Sequence, residues 1–435
     1  MNEKYNKILN NILEKRDIST DEKEKINEII DKFRHSIEKN LKKYHAEFFV
    51  GGSFAKNTAI KKDKYDIDVF ILFDYIKYRE KSNEISKILG QILKKSGYKT
   101  EIIHGSRDYF GIKLRSEFDI LLEVIPVLKI KNAKEAKNIT DISPLHVKYI
   151  KNKIKIKNKL SEEIKLAKSF CFSSKCYGAE SYIGGFSGYS LEVLVSYYGS
   201  FLNLLKNVIK WKEKDVIDPE KYYKNKDEAL KNLNTAKMQS ALILIDPVQK
   251  ERNVLAALTK EKFDLFKKTA SEFLKHPSEK FFEKKELNVS ELIKQTKKNK
   301  KNLAVFKIST NKEKEDIALA KALKFSSFLL FKLEKNGFKI IKTEKEFEKS
   351  SMNLYIIYEN PVKEFLISGP PCKIEKNCAD FRKKHKNTTI KNGRIYAKCK
   401  REFLDLEKFF YIFKNKEKKT IKEMNVKGLN LIKFD

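Results

Sequence analysis

Cysteine is scarce in this chain: Cys171, Cys176, Cys372, Cys378 and Cys399 are the only five in 435 residues. An odd, scattered set excludes a disulfide framework and fits a reducing compartment, so a cytoplasmic location is expected. Cys171 and Cys176 could open a zinc site, but no second Cys or His pair stands at ligand spacing, and they read as ordinary thiols. Long apolar runs are missing too. No stretch of about 18 apolar residues occurs, which excludes a membrane-spanning helix. The charged start Met1-Asn2-Glu3-Lys4-Tyr5-Asn6-Lys7 leads into no apolar stretch, so no secretory leader is expected. Acidic residues are the third shortage. Asp and Glu number 59 against 93 Lys and Arg, a net charge of +34. That surplus favours a polyanion partner, because each phosphate neutralised releases counterions. The abundance of Lys, Ile and Asn also fits an AT-rich genome, so part of the lysine content reads as solvated surface.

What is present fits several domains, with a hydrophobic fraction of 41% to form their cores. The first 45 residues read as helix. Ser19 and Glu22 form a capping-box pattern, and Ile26, Ile29, Ile30, Phe33, Ile37 and Leu41 make one apolar stripe at helical spacing. Phe48 to Val50 reads as a short strand, Ile67 to Phe73 as a strand, and residues 82–95 as a helix. Thr100 to Ile103 and Ile120 to Val127 read as further strands. From residue 139 the pattern turns helical, with Ile164 to Phe172 and Leu191 to Ile209 as the clearest helices and Leu242 to Ile245 as a short strand. Later, Ala304 to Ile308, Phe338 to Ile341 and Leu354 to Tyr358 read as strands around a helix from Glu315 to Lys335, which Asn336-Gly337 stops. Gly369-Pro370-Pro371 reads as a hinge before a Lys-rich end.

The chemistry concentrates in two neighbouring segments. Phe49-Val50-Gly51-Gly52-Ser53-Phe54-Ala55-Lys56 offers a Gly-Gly-Ser turn whose backbone N–H groups and hydroxyl suit phosphate. Tyr65-Asp66-Ile67-Asp68-Val69 follows. Residues two apart on a strand face the same side, so Asp66 and Asp68 project together. Paired carboxylates repel unless a cation lies between them, and hard oxygen ligands suit Mg2+. Either piece alone is commonplace; the two in this order are far more specific.

In that combination the chain resembles the nucleotidyltransferase superfamily of poly(A) polymerases and CCA-adding enzymes. The central blocks narrow the resemblance. Asp141-Ile142-Ser143-Pro144-Leu145-His146, Lys168, Tyr177-Gly178-Ala179-Glu180, Gly185-Phe186-Ser187-Gly188-Tyr189, and Asp246-Pro247-Val248 with Arg252-Asn253-Val254 look like the archaeal-type (class I) CCA-adding enzymes. The likeness is good from about residue 45 to 258, looser to about 370 and weak beyond.

The resemblance implies an α+β multidomain fold: a nucleotidyltransferase head with a mixed sheet flanked by helices, a helical neck, an α/β body and a short basic tail. Its expected boundaries are 1–138, 139–257, 258–370 and 371–435. It implies template-independent addition of C, C and A to tRNA from CTP and ATP, with two Mg2+ ions and release of pyrophosphate. A related A-adding activity and an inactive tRNA-binding protein are the alternatives. Asp66 and Asp68 would bind metal with a third acid. The family sets that acid two apolar residues before a proline, which favours Glu123 of Glu123-Val124-Ile125-Pro126; Asp119 is the alternate. The family usually has Asp there, and Glu is one methylene longer. Gly52, Ser53 and Lys56 would meet the triphosphate. Ser143, His146, Lys168 and Tyr177 would hold phosphates and ribose, and Arg252 would read the base. His104 falls near a family position by the site. The basic end, with Lys383, Lys384, His385, Lys386 and Lys391 to Arg401 around Phe381, Tyr396 and Phe403, would grip RNA. The oligomeric state is left open, with a homodimer as one option.

Overall fold

Two helices form the first segment, α1 (Asn2–Arg16) and α2 (Thr20–Lys43). The break falls where the capping pattern sits: the Ser19 hydroxyl accepts from the Glu22 N–H, and the Glu22 carboxylate accepts from Ser19 in return. The computed structural model describes residues 2–61, 64–115, 117–233, 238–284, 287–311 and 313–433. The chain divides into two units, residues 1–285 and 286–435.

In the first unit, β1 (Ala46–Val50), α3 (Gly52–Ala55), β2 (Lys64–Asp74), α4 (Tyr75–Tyr78), α5 (Ile85–Lys95), β3 (Glu101–Ile103), β4 (Tyr109–Arg115) and β5 (Asp119–Lys129) build a five-stranded sheet in the order β1-β2-β5-β4-β3. The sheet is mixed: β2 and β5 run parallel and the other pairs antiparallel. Alternation along β2 and β5 decides what each face does. Ile67, Val69, Ile71 and Phe73, with Ile120, Leu122 and Val124, turn to one face and form a core with Ile26, Phe33 and Ile37 of α2 and Leu89 and Ile92 of α5. The opposite face carries Asp66, Asp68 and Glu123. There, apolar packing is confined to a smaller cluster of Phe70, Leu72 and Val127 with Val147.

Helices follow: α6 (Ser143–Ile156), α7 (Leu160–Ser173), α8 (Gly188–Tyr198) and α9 (Phe201–Val208). After them come β6 (Val216–Ile217), α10 (Lys226–Asn232), β7 (Ile243–Leu244) and α11 (Lys260–Lys275). The stretch expected as one helix from Leu191 to Ile209 is two. Gly199 ends α8 at φ +85°, and the Ser200 hydroxyl caps α9. The second core joins α7, α8, α9 and α11, with Tyr5, Leu9 and Ile12 of α1 packed into it.

The second unit holds α12 (Val289–Lys298), β8 (Asn302–Thr310), α13 (Glu315–Lys335), β9 (Lys339–Glu348), β10 (Ser351–Glu359), β11 (Glu364–Pro371) and α14 (Glu375–Lys384). It ends with β12 (Thr388–Lys391), β13 (Arg394–Lys400), α15 (Leu406–Lys416), α16 (Lys418–Glu423) and β14 (Val426–Lys433). Its sheets run β14-β8-β10-β9 and β11-β13-β12. Gly369-Pro370-Pro371 is not the expected hinge. It closes β11, where the pairing with β13 shifts register and Arg394 donates to the Gly369 carbonyl at 2.8 Å. A Cβ on Gly369 would stand 2.7 Å from Ile395 and 2.9 Å from Phe381 of α14, so glycine here permits close helix–sheet packing.

Candidate active site

β1 delivers the chain to the turn at Gly51, whose N–H donates to the Asp68 carbonyl at 2.8 Å. Gly52 then takes φ +59°, and a Cβ there would lie 1.8 Å from Asp68 Oδ2. Two separate constraints therefore require glycine: the left-handed backbone and the carboxylate against it. Residues 52–55 form the short α3, and Lys56 follows it.

The strand register sorts the acids. Asp68 pairs with Glu123 on parallel β5, Asp66 with Leu121, and Lys64 with Asp119. Neighbours in a sheet share a face, so Glu123 stands beside Asp68. Asp119 is level with Lys64, two residues beyond Asp66 and roughly 6–7 Å further along the strand. Burial raises the Asp68 carboxyl above its ordinary value; Lys56 opposes that shift, and Asp66 and Glu192 add to it. Among the described residues, no three carboxylate, imidazole or thiol groups close around a common point tightly enough to hold an ion. The three acids share adjacent strands and one face instead. Tyr109 starts β4 on that face, two residues before Gly111, the partner of Glu123. Burial, then the charges of Glu123 and Asp68, push its hydroxyl up to about 12.

A second cluster holds the cations. Glu192 of α8 is buried and accepts from Lys56 Nζ at 2.6 Å, Lys168 Nζ of α7 at 2.8 Å and the Thr58 hydroxyl at 2.7 Å. Lys168 also donates to the Thr58 hydroxyl at 3.0 Å and to its carbonyl at 3.2 Å. Burial opposes ionisation of Glu192, but the two ammonium groups overcome it and hold the carboxyl at about 2. A Cβ on Gly188 would lie 2.9 Å from the Tyr177 hydroxyl and 3.8 Å from Lys168 Nζ, which sets Tyr177 beside this cluster.

A third cluster centres on Asp246. It accepts from Arg252 at 2.7 Å, the Tyr189 hydroxyl at 3.1 Å and the Val248 N–H at 2.9 Å, and it meets His146 Nε2 at 3.0 Å. Burial pushes the His146 imidazole below its ordinary value against the pull of Asp246. The His146 and Tyr189 rings lie 4.2 Å apart. Arg252 also lines a cavity of about 520 Å3 with Asn138, Ile142, Ala179, Gln249 and Val254. Ser143 begins α6 one turn before His146. His104 lies on an exposed stretch after β3, 3.0 Å from Asp108.

Thr58, Tyr109, Glu192 and the central role of Asp246 were not singled out from sequence. One signal was available for Glu192: an acid inside the apolar run Leu191-Glu192-Val193-Leu194-Val195 is a candidate buried charge.

Comparison with known proteins adds to this geometry. Residues 162–283 match the family model described as tRNA nucleotidyltransferase, second domain. Residues 2–144 match that of the second messenger oligonucleotide or dinucleotide synthetase domain. The CCA-adding enzyme of Nanoarchaeum equitans is 36% identical over 367 residues, covering 84% of this chain and 87% of that protein. That of Methanocaldococcus jannaschii is 29% identical over 94% of this chain and 88% of its own length. That of Archaeoglobus fulgidus is 31% identical over 84% and 80%. Among solved structures, a cytoplasmic RNA terminal U-transferase aligns with TM-score 0.51 and 15% identity over 66% of this chain and 100% of its own. A Cid1 poly(U) polymerase aligns with TM-score 0.51 and 14% identity over the same shares. Both carry the same fold in their aligned parts.

Proposed function

The chain belongs to the family of CCA-adding enzymes, and from that premise we propose which of its residues perform the transfer. The protein is a tRNA nucleotidyltransferase that completes the 3′ CCA of tRNA from nucleoside triphosphates, with a divalent metal. No helix among the described residues is long and apolar enough to cross a membrane. We assign catalysis to residues 1–138, nucleotide and primer binding to 139–257, and RNA binding to 258–370 and 371–435, in the cytoplasm.

Asp66, Asp68 and Glu123 carry the metal in this reading, with Mg2+ as the ion and two ions per site. The observation that carries it is the β2–β5 register, which pairs Glu123 with Asp68 while Asp119 pairs with Lys64. The donors are all carboxylate oxygens, which fits a hard cation. Held by these carboxylates, a divalent cation would supply activation of the RNA 3′-hydroxyl and neutralisation of the leaving pyrophosphate. The hydroxyl loses its proton to solvent as its oxygen attacks the α-phosphorus in line, the bond to the bridging oxygen of the β-phosphate breaks, and pyrophosphate departs. No covalent enzyme intermediate is needed.

Gly52 and Ser53 present backbone N–H and hydroxyl donors to the triphosphate, and Lys56 adds charge. Ser143, His146, Lys168 and Tyr177 complete the phosphate and ribose contacts. His146 is held in place by its contact with Asp246 at 3.0 Å. Arg252, anchored by Asp246 and facing the cavity, reads the edge of C or A. A site built to hydrogen-bond those bases leaves polar groups unpaired with the wrong one, which is the physical route to selectivity.

The test uses a tRNA lacking its 3′ CCA, with Mg2+ and with CTP and ATP supplied singly and together. The wild type should add two residues from CTP alone and a third once ATP is present. Asp68→Ala should abolish addition and leave tRNA binding nearly unchanged. Long tails or A-addition alone would move the protein to the related tailing activity. Activity surviving in Asp68→Ala would remove the metal assignment.

A further inference from the structure

Glu192 is buried almost completely, at 1% exposure, and transfer from water to that environment is unfavourable for a carboxylate without compensation. Compensation comes from two elements remote in sequence. Lys168 lies one α-helix earlier, while Lys56 and Thr58 belong to the segment after the Gly-Gly-Ser turn. The two Glu192 oxygens divide the work: Oε2 takes Lys56, and Oε1 takes both Lys168 and the Thr58 hydroxyl. Thr58 is tied back to the turn, its N–H donating to the Ser53 carbonyl at 2.9 Å. Ser53 follows Gly52, which abuts the Asp68 carboxylate. A continuous set of contacts thus runs from α8 through Lys168 and Thr58 to the phosphate turn and on to Asp68.

We infer that Glu192 is a positioning residue of the nucleotide site: it holds the Lys56 and Lys168 ammonium groups side by side against the phosphate turn and reduces their joint charge from two units to one. The inference rests on the assignment of those lysines to the triphosphate and adds what orients them. Two free ammonium groups on long flexible stems would repel each other and sample many rotamers. A shared carboxylate removes both effects. The residual single charge also limits how tightly the polyphosphate is held. Pyrophosphate carries the same chemistry and must leave after each addition.

This role separates kcat from KM. Glu192→Gln removes the carboxylate charge, so the ammonium groups lose their fixed geometry while the site becomes more positive. The expected result is a fall in kcat for C and A addition of roughly tenfold to a hundredfold, with KM for CTP and ATP unchanged or lower, and a folded protein by circular dichroism. Glu192→Asp keeps the charge on a shorter arm and should give an intermediate kcat. Wild-type kcat in Glu192→Gln overturns the inference. So does a fall in kcat matched by a lost folded fraction, or a raised KM at unchanged kcat. If Glu192→Gln does not fold, Glu192→Asp carries the test: lowered kcat at unchanged KM supports the inference, and wild-type constants overturn it. Lys56→Met, run in parallel, isolates the premise. A raised KM for both nucleotides supports the phosphate assignment. An unchanged KM there overturns that assignment and the inference with it, whereas a raised KM beside a wild-type Glu192→Gln overturns the inference alone.

Discussion

At the scale of single residues, the site rests on side chains whose local conflicts are resolved by specific partners. Gly52 meets two constraints at once, a left-handed backbone and the Asp68 carboxylate. Gly52→Ala should therefore lose most of its activity, by about a hundredfold or more, while costing only on the order of 1–3 kcal/mol of stability. Nucleotide incorporation beside a denaturant melt checks both. Glu192→Ala removes the carboxylate that Lys56 and Lys168 share and should cost about 3–5 kcal/mol, as breaking a buried ion pair does. The pH dependence has a definite sign. Glu192 is held at about 2 from an ordinary 4.5. Its ionised form thus belongs to the folded state, and its contribution is complete above about pH 4.5 and lost as pH falls towards 2. Denaturant melts across that window should show a flatter acid dependence in Glu192→Gln than in the wild type.

At the scale of elements, what was legible in the sequence is what is local. The Asp66–Asp68 pair follows from the two-residue period of one strand, and the Ser19–Glu22 capping box from one helix start. The choice between Glu123 and Asp119 is different in kind. They are four apart and face the same way, so alternation cannot separate them; the family resemblance favours Glu123 by its place before Pro126, and the register of β2 against β5, which is long-range, pairs it with Asp68. Glu192 escaped notice for the same reason, since its partners Lys56 and Thr58 lie 136 and 134 positions away. The split of the expected helix from Leu191 to Ile209 was signalled by Gly199-Ser200, a stop followed by a cap, which a continuous apolar periodicity masked. Gly199→Ala, at φ +85°, should lower stability by roughly 1–2 kcal/mol. A lower thermal midpoint is the expected reading; an unchanged one would show that α8 and α9 accommodate a side chain there.

At the scale of the whole molecule, the charge of +34 is the broadest feature and the one composition conveyed most directly. It could not say which lysines meet RNA. In the structure some are bound into internal contacts, as Lys56, Lys165 and Lys168 are to Glu192 and Asp17. The rest predict binding that is strongly salt-dependent. The logarithm of tRNA affinity should fall with that of salt concentration, with a slope of about 0.9 for each duplex phosphate neutralised. A slope near zero would mean that the surplus charge is only solvated surface. The placement of the third acid is where the catalytic assignment stands or falls. The measurement is single-turnover nucleotide addition to tRNA lacking CCA, with Mg2+, for Glu123→Gln and Asp119→Asn side by side. Glu123→Gln should slow addition by roughly a thousandfold or more, and Asp119→Asn should stay close to wild type. The reverse pattern, with Asp119→Asn inactive and Glu123→Gln active, would contradict the assignment drawn from the strand register.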